Sequence, residues 1–163
     1  MPEKFILRVI PLSLAVSVTA TATAALVGAL ATAPSIHDWY AALIKPSWTP
    51  PNWVFGPVWT MLYAMMAVAA WLAWRAADSR GRMPVLSTYL AQLALNSGWS
   101  VLFFGLRLIG LALIEIVVLW LAIIVTIGAF RRYSATAALL LIPYALWVGY
   151  AITLNFGIWR LNQ

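Results

Sequence analysis

Apolar residues run along this chain in long blocks, broken by a few charged positions. Five blocks stand out, at about 9–33, 53–74, 83–106, 108–130 and 133–159. A hydrocarbon core about 30 Å thick takes roughly 20 apolar residues to cross as helix, so each block is long enough to span a bilayer. Backbone polar groups cannot go unpaired in lipid, and the period-2 alternation of barrel strands is absent, so the blocks read as helices. The links at residues 75–82, at Arg107 and at Arg131-Arg132 are short. Short links force antiparallel neighbours, and the pattern therefore predicts a compact up-down bundle. The expected fold class is an all-α integral membrane protein, a bundle of five transmembrane helices. No repeat of 20–50 residues is visible, and residues 1–163 read as one domain with no room for a soluble one.

Polar residues inside the blocks are few and ordered. In the third block Tyr89, Gln92, Asn96, Trp99 and Phe103 are spaced 3, 4, 3 and 4 apart, which places them on one helix face. The fifth carries Tyr144, Trp147, Ala151, Asn155 and Trp159, and the second carries Phe55, Trp59, Tyr63 and Met66. Three such stripes either enclose an apolar pocket with sparse polar handles or fill a core, with Gln92 and Asn96 as interhelical hydrogen-bonding groups. Glu115 is the one acid in the middle of a span. Such a residue faces the bundle interior with a partner, and Gln92, Asn96 and Asn155 are the candidates. Thr19, Thr21, Thr23, Gly28 and many alanines suit the first block to close helix packing.

The first connection departs from the other links. Four of the ten tryptophans, Trp39, Trp48, Trp53 and Trp59, fall in the run WYAALIKPSWTPPNWVFGPVW. Pro46, Pro50 and Pro51 fix φ and bias their predecessors to extended backbone, so the second half of the connection is stiff and largely non-helical. A stiff, aromatic connection can act as a lid, or its indoles can anchor in the headgroup belt.

Composition agrees with the block pattern: 64% of residues are hydrophobic and 9% charged, and the mean hydropathy is +0.93. The net charge of +6 is an orientation signal. Lys4, Arg8, Arg75, Arg80, Arg82, Arg131 and Arg132 share one side of a five-span bundle, and Lys45, Arg107 and Arg160 the other. The positive-inside rule then sets the N-terminus in the cytoplasm and the C-terminus outside. The first block is too long for the apolar core of a signal peptide and reads as a retained helix. No basic patch with exposed polar or aromatic surface suggests a nucleic-acid partner. Cysteine is absent, His37 is the sole histidine, and the acids Glu3, Asp38, Asp78 and Glu115 are scattered. The sequence thus offers no metal site, no covalently held cofactor and no catalytic constellation.

The run at 39–59 closely resembles the signature of the TspO/MBR family, the tryptophan-rich sensory proteins that are bacterial relatives of the mitochondrial translocator protein. QLALNSGWSVLFFG from Gln92 and PYALWVGYAITLNFGIW from Pro143 resemble the corresponding helices of that family. The resemblance spans residues 10–162. It implies a multi-pass protein of a bacterial membrane, commonly a homodimer, that binds porphyrins such as protoporphyrin IX or haem. Isoquinoline or benzodiazepine-type ligands are a further implied class. The implied ligand pocket involves Trp39 and Trp48 from the lid, Trp59 and Tyr63, Asn96 and Trp99, and Trp147, Ala151 and Asn155. Lys45 has two implied roles, pairing with a propionate or snorkelling to the headgroups. Phe156 stands where the family's cholesterol-recognition pattern has tyrosine, which argues against cholesterol. Ser87, Ala91, Ala94 and Gly98 give small-xxx-small spacings for a dimer face on the third helix, and small residues also pack within a protomer.

Three functions follow as expectations. The first is a porphyrin-binding sensor, regulator or transporter that responds to tetrapyrrole levels or stress. The second is a light- or oxidant-dependent porphyrin-degrading enzyme using indoles such as Trp39 or Trp147. The third is a membrane protein whose lid docks another protein without a small ligand.

Overall fold

The structure, a computed structural model, describes residues 2–163, with side chains from Ser13 onward. The side chains of Glu3, Lys4 and Arg8, used above for charge and orientation, lie outside the described residues. The chain forms α1 (Pro2–Thr32), a 3-10 turn (Ala33–Ser35), α2 (Trp39–Ala42), α3 (Asn52–Ala76) and α4 (Arg82–Ser100). A π-helical turn (Val101–Gly105) continues α4, and α5 (Ile109–Arg131), α6 (Ala135–Leu140) and α7 (Ile142–Leu161) follow. There is no strand among the described residues.

Four segments are long and apolar enough to cross a membrane: Ser13–Ser35, Asn52–Ala76, Ile109–Arg131 and Ala135–Leu161. This is a multi-pass membrane protein. The block at 83–106 forms a further helix, α4, whose apolar character is diluted by Ser87, Thr88, Gln92, Asn96 and Ser97. The last block, expected as one helix, is broken at Leu141. Pro143 has no N–H to continue the helical ladder, and the Leu141 N–H closes a tighter turn onto the Ala138 carbonyl at 3.1 Å. Ser134 caps α6, its hydroxyl accepting from the Ala137 N–H at 3.2 Å.

Each helix buries residues three or four apart, so that one stripe faces the interior. On α3 these are Leu62, Met66, Ala69, Ala70 and Ala73; on α5 they are Ala112, Ile116, Leu119, Ile123, Thr126 and Phe130. α1 packs against α3 and α4, and α5 packs against α4, α6 and α7. Small residues let α1 approach closely, as expected from its composition. Thr21 is hydrogen-bonded to Tyr89 of α4, and a Cβ on Gly28 would lie 3.3 Å from Ser100 Oγ.

The helix pair that shapes the site is α3 with the α6–α7 rod. α3 packs along α6 at one end of the bundle but not comparably along α7 at the other. The two rods splay, and the first connection closes the wide end. That connection is helical over α2 and irregular from Leu43 to Pro51, which matches the expected effect of its prolines.

Candidate functional site

The splayed end of the bundle encloses a cavity of about 590 Å³, within the size range of small-molecule sites. α1 contributes Ala25, Gly28, Ala29 and Thr32, and α3 contributes Phe55, Trp59, Thr60 and Tyr63. α4 and its π turn supply Asn96, Trp99, Ser100, Phe103 and Phe104, α7 supplies Trp147, Ala151 and Asn155, and Ile36 and Tyr40 close the lid side. Rings dominate the wall. Trp99 stacks on Phe103 with centroids 5.2 Å apart and an interplanar angle of 27°, Trp59 lies 5.4 Å from Tyr63, and Phe55 meets Trp147 edge-on at 5.8 Å.

Of the nine residues expected in a pocket, Trp59, Tyr63, Asn96, Trp99, Trp147, Ala151 and Asn155 converge on this cavity, and Trp39 and Trp48 do not line it. Trp39 packs edge-on against Phe103 at 5.6 Å, and Arg107 lies 5.7 Å over its ring. Trp48 is 55% exposed, and its ring edge passes over Gly157 on the outer side of α7. The extended backbone after Leu43 carries it across α7, so it clamps the lid from outside. Tyr40 is the lid ring that reaches the wall, held between Phe103 at 6.3 Å and Phe104 at 5.5 Å.

The two asparagines are committed to the protein itself. Asn96 accepts from Tyr63 Oη at 2.7 Å and donates Nδ2 to Tyr144 Oη at 3.1 Å. Asn155 accepts from Trp99 Nε1 at 3.0 Å and donates to the Ile109 carbonyl at 3.0 Å. Both pin helices together around the cavity and set the aromatic rings. The donors on the wall that make no hydrogen bond among the described residues are the indole N–H groups of Trp59 and Trp147, the Tyr40 and Ser100 hydroxyls and the Asn52 amide at the mouth. Among the described residues, no lysine, arginine, histidine or methionine lines the cavity. Lys45 caps the Ala41 and Leu43 carbonyls at 3.2 and 3.1 Å, with its ammonium 4.7 Å from the centre of the Tyr40 ring.

Glu115 differs from its expectation. None of Gln92, Asn96 and Asn155 bonds to it; both carboxyl oxygens are buried without a hydrogen-bond partner, beside Gly98. Gln92 is likewise unpartnered and 1% exposed. α5 turns Glu115 toward the Gly98 backbone, and the Asn96 and Asn155 amides are already bonded elsewhere.

Three residues that the sequence did not single out fasten the lid. Asn162 Nδ2 donates to the Ile44 carbonyl at 2.9 Å, and Asn162 Oδ1 accepts from the Ile44 N–H at 3.0 Å. Tyr150 donates its hydroxyl to the Trp48 carbonyl at 2.6 Å. Gly157 lets Pro46 sit directly on α7. Near the start of the connection, the Ser35 hydroxyl donates to the Phe104 carbonyl at 2.8 Å.

Splayed membrane helices around an aromatic, lidded cavity define a multi-pass membrane protein with an intrabundle cavity. Residues 15–160 match the model of the TspO/MBR family. A tryptophan-rich protein TspO of Archaeoglobus fulgidus is 42% identical over 154 residues, covering 93% of this chain and 97% of its own length. The translocator protein of Homo sapiens is 43% identical over 127 residues, 77% of this chain and 75% of its own. The tryptophan-rich sensory protein of Cereibacter sphaeroides is 42% identical over 125 residues, 77% of each chain. The chain belongs to the TspO/MBR family.

Proposed function

We propose that this protein binds a porphyrin, protoporphyrin IX or haem, in the aromatic cavity and serves as a tetrapyrrole sensor-regulator or transporter. The observation that carries the reading is the wall itself: flat rings on α3, α4 and α7 around about 590 Å³, with a few free N–H and O–H donors. Aromatic faces suit a flat macrocycle, and the free donors suit its carboxylates. The wall is built mainly of rings, so recognition runs chiefly through the faces of the macrocycle. The ligand residues are Trp59, Tyr63, Trp99, Trp147 and Ala151 by direct contact, with Asn96 and Asn155 holding the rings in place. Family membership, with relatives named translocator and sensory proteins, supports the same reading.

In the membrane, α4 makes a fifth span beside the four apolar segments. Arg75, Arg80, Arg82, Arg131 and Arg132 then face the cytoplasm, and the lid and the C-terminus face outward. The exposed small residues Ser87, Ala91 and Ala94 on α4 make a face for a second copy of the chain.

The test is a dark titration of detergent-solubilised protein with protoporphyrin IX, read by tryptophan quenching, followed by porphyrin absorbance under illumination. Saturable quenching in the wild type, lost in Ala151→Phe, is the expected result. Porphyrin that disappears under light with wild type but not with Trp147→Phe would replace this reading with the degrading enzyme. Quenching that never saturates would remove the porphyrin assignment.

A further inference from the structure

A second cavity, of about 270 Å³, lies at the end of the bundle away from the lid, between α1, α3 and α4. Its wall is mainly apolar, with Val16, Ala70, Val85 and Leu86; Ser13 and Ser17 also line it, and it deepens toward Tyr89. The Ser17 hydroxyl donates to the Ser13 carbonyl and Tyr89 is bonded to Thr21, so neither hydroxyl is left over inside the slot. Arg82, exposed at the first residue of α4, stands at the mouth. Seven residues of helix separate Arg82 from Tyr89, a depth of about 10 Å.

Arg82 has no carboxylate and no hydrogen-bond acceptor among the described residues; its guanidinium lies over the Trp74 ring, 5.4 Å from the centroid. The surroundings are strongly basic. Arg75 lies 4.8 Å over Trp71, and Arg80, Arg131 and Arg132 belong to the same end of the bundle. The one acid there among the described residues, Asp78, accepts from the Gly81 N–H at 2.7 Å. A mainly apolar slot, with a planar five-donor cation at its rim that has no acceptor among the described residues, is complementary to an anion attached to a hydrocarbon tail. Basic pockets between membrane helices hold lipid headgroups by the same physics.

We propose that this cavity takes one acyl chain of an anionic phospholipid, with the lipid phosphate held by Arg82. The slot is too small for a whole lipid, so the second chain stays in the bilayer. Trp74 holds the guanidinium at the rim, at headgroup depth. Arginines that merely orient the chain would attract anionic lipid diffusely, whereas this site requires Arg82 and the slot together.

The test uses delipidated full-length protein in detergent, titrated with phosphatidylglycerol, phosphatidylcholine or glycerol 1-phosphate, with bound molecules counted by native mass spectrometry. One phosphatidylglycerol should bind ahead of phosphatidylcholine, and glycerol 1-phosphate should not compete. Arg82→Ala should weaken phosphatidylglycerol about fivefold, the usual worth of one basic residue at a lipid surface, while Arg132→Ala should leave it unchanged. Leu86→Trp, which keeps the charge and fills the slot, should abolish the tight site. Equal binding of the two lipids, or equal loss in Arg82→Ala and Arg132→Ala, would overturn the proposal in favour of diffuse attraction. Competition by glycerol 1-phosphate would make it a phosphate site with no lipid specificity. If Arg82→Ala does not fold, Leu86→Trp decides, and unchanged phosphatidylglycerol binding there would overturn the proposal.

Discussion

Gly157→Ala should lift the lid without unfolding the bundle. A Cβ at residue 157 would lie 2.4 Å from Pro46 Cγ, 3.4 Å from Pro46 Cβ and 3.5 Å from Trp48 Cζ2. Carbon atoms settle at about 3.5–4.0 Å, so the prolyl ring must retreat by about 1 Å. A proline ring has no rotamer to swing away, and Pro46 is buried. On the other side, α7 is held by the buried Leu154, Asn155 and Ile158. The lid is therefore the part that moves. Overpacking of this kind costs about 1–3 kcal/mol. What resists is the Ile44–Asn162 pair of hydrogen bonds and the Tyr150–Trp48 bond, each with a net worth of about 0.5–1.5 kcal/mol. The two terms are comparable, and a balance shifted by one or two kcal/mol changes the closed-to-open ratio by about 5–30-fold.

Hydrogen exchange followed by mass spectrometry reads this directly. Amides 44–49, which include the bonded N–H groups of Ile44 and Thr49, should exchange about 5–30-fold faster in Gly157→Ala. The amides of α7 should exchange no faster, because alanine favours the helix over glycine by about 0.8–1.0 kcal/mol. Asn162→Ala should give the same lid phenotype by removing two bonds. The double variant should fall short of additivity, since both changes release one segment. Wild-type exchange at residues 44–49 in Gly157→Ala would refute the reasoning, because the lid would then be held by contacts other than those at Pro46.

Tyr63→Phe leaves the buried Asn96 Oδ1 without its donor; it should lower the melting midpoint by the equivalent of about 1–3 kcal/mol, with the cavity still able to bind. Trp99→Phe leaves the buried Asn155 Oδ1 without its donor, which should cost about 1–3 kcal/mol in a denaturation series and loosen the α5 end at Ile109. Burial raises the pKa of the lid residue Tyr40 above its ordinary 10.0. The folded lid thus binds the Tyr40 proton more tightly than the unfolded chain, so its contribution to stability is complete below pH 10 and is lost as pH rises through the raised value. Melting curves through the alkaline range, with Tyr40→Phe as the control that should lack this loss, check the sign.

Helix faces were legible in the sequence; depth along a face was not. The stripe Tyr89, Gln92, Asn96, Trp99, Phe103 is one side of α4, but only its last three members line the large cavity. Tyr89 and Gln92 lie lower, where α4 packs closely on its neighbours, and Tyr89 is spent on Thr21. Likewise Met66 and Tyr144 share stripes with cavity residues yet lie in the core, because periodicity records which neighbour a side chain faces and not how far that neighbour stands away. The lid clasp was illegible for another reason. Asn162 and Ile44 are 118 residues apart and Tyr150 and Trp48 are 102 apart, so no local pattern links them. The π turn at 101–105, followed by Arg107 with φ of 59°, also left no signal in composition. It sets Phe103 and Phe104, adjacent in sequence, both against Tyr40.

The cavity itself follows from a gradient of side-chain size along one helix pair. At its narrow end α3 carries buried Ala69, Ala70 and Ala73, and α6 carries buried Ala137 and Ala138, so the rods can approach. At its wide end Phe55 meets Trp147 and Trp59 meets Tyr144 edge-on, and rings of that size hold the rods apart. A uniformly alanine-lined pair would close along its whole length, and a uniformly aromatic one would leave no close-packed core to fix the splay. The break at Leu141, just ahead of Pro143, lies between the two regimes and lets α7 take a different course from α6. Because the lid touches only the wide end, through Tyr40 and the Asn162 clasp, changes there alter access to the cavity and leave the alanine-packed end intact. This separation is why lid variants should change exchange at residues 44–49 with little effect on the core, whereas cavity-wall variants at Tyr63 and Trp99 should change the melting midpoint.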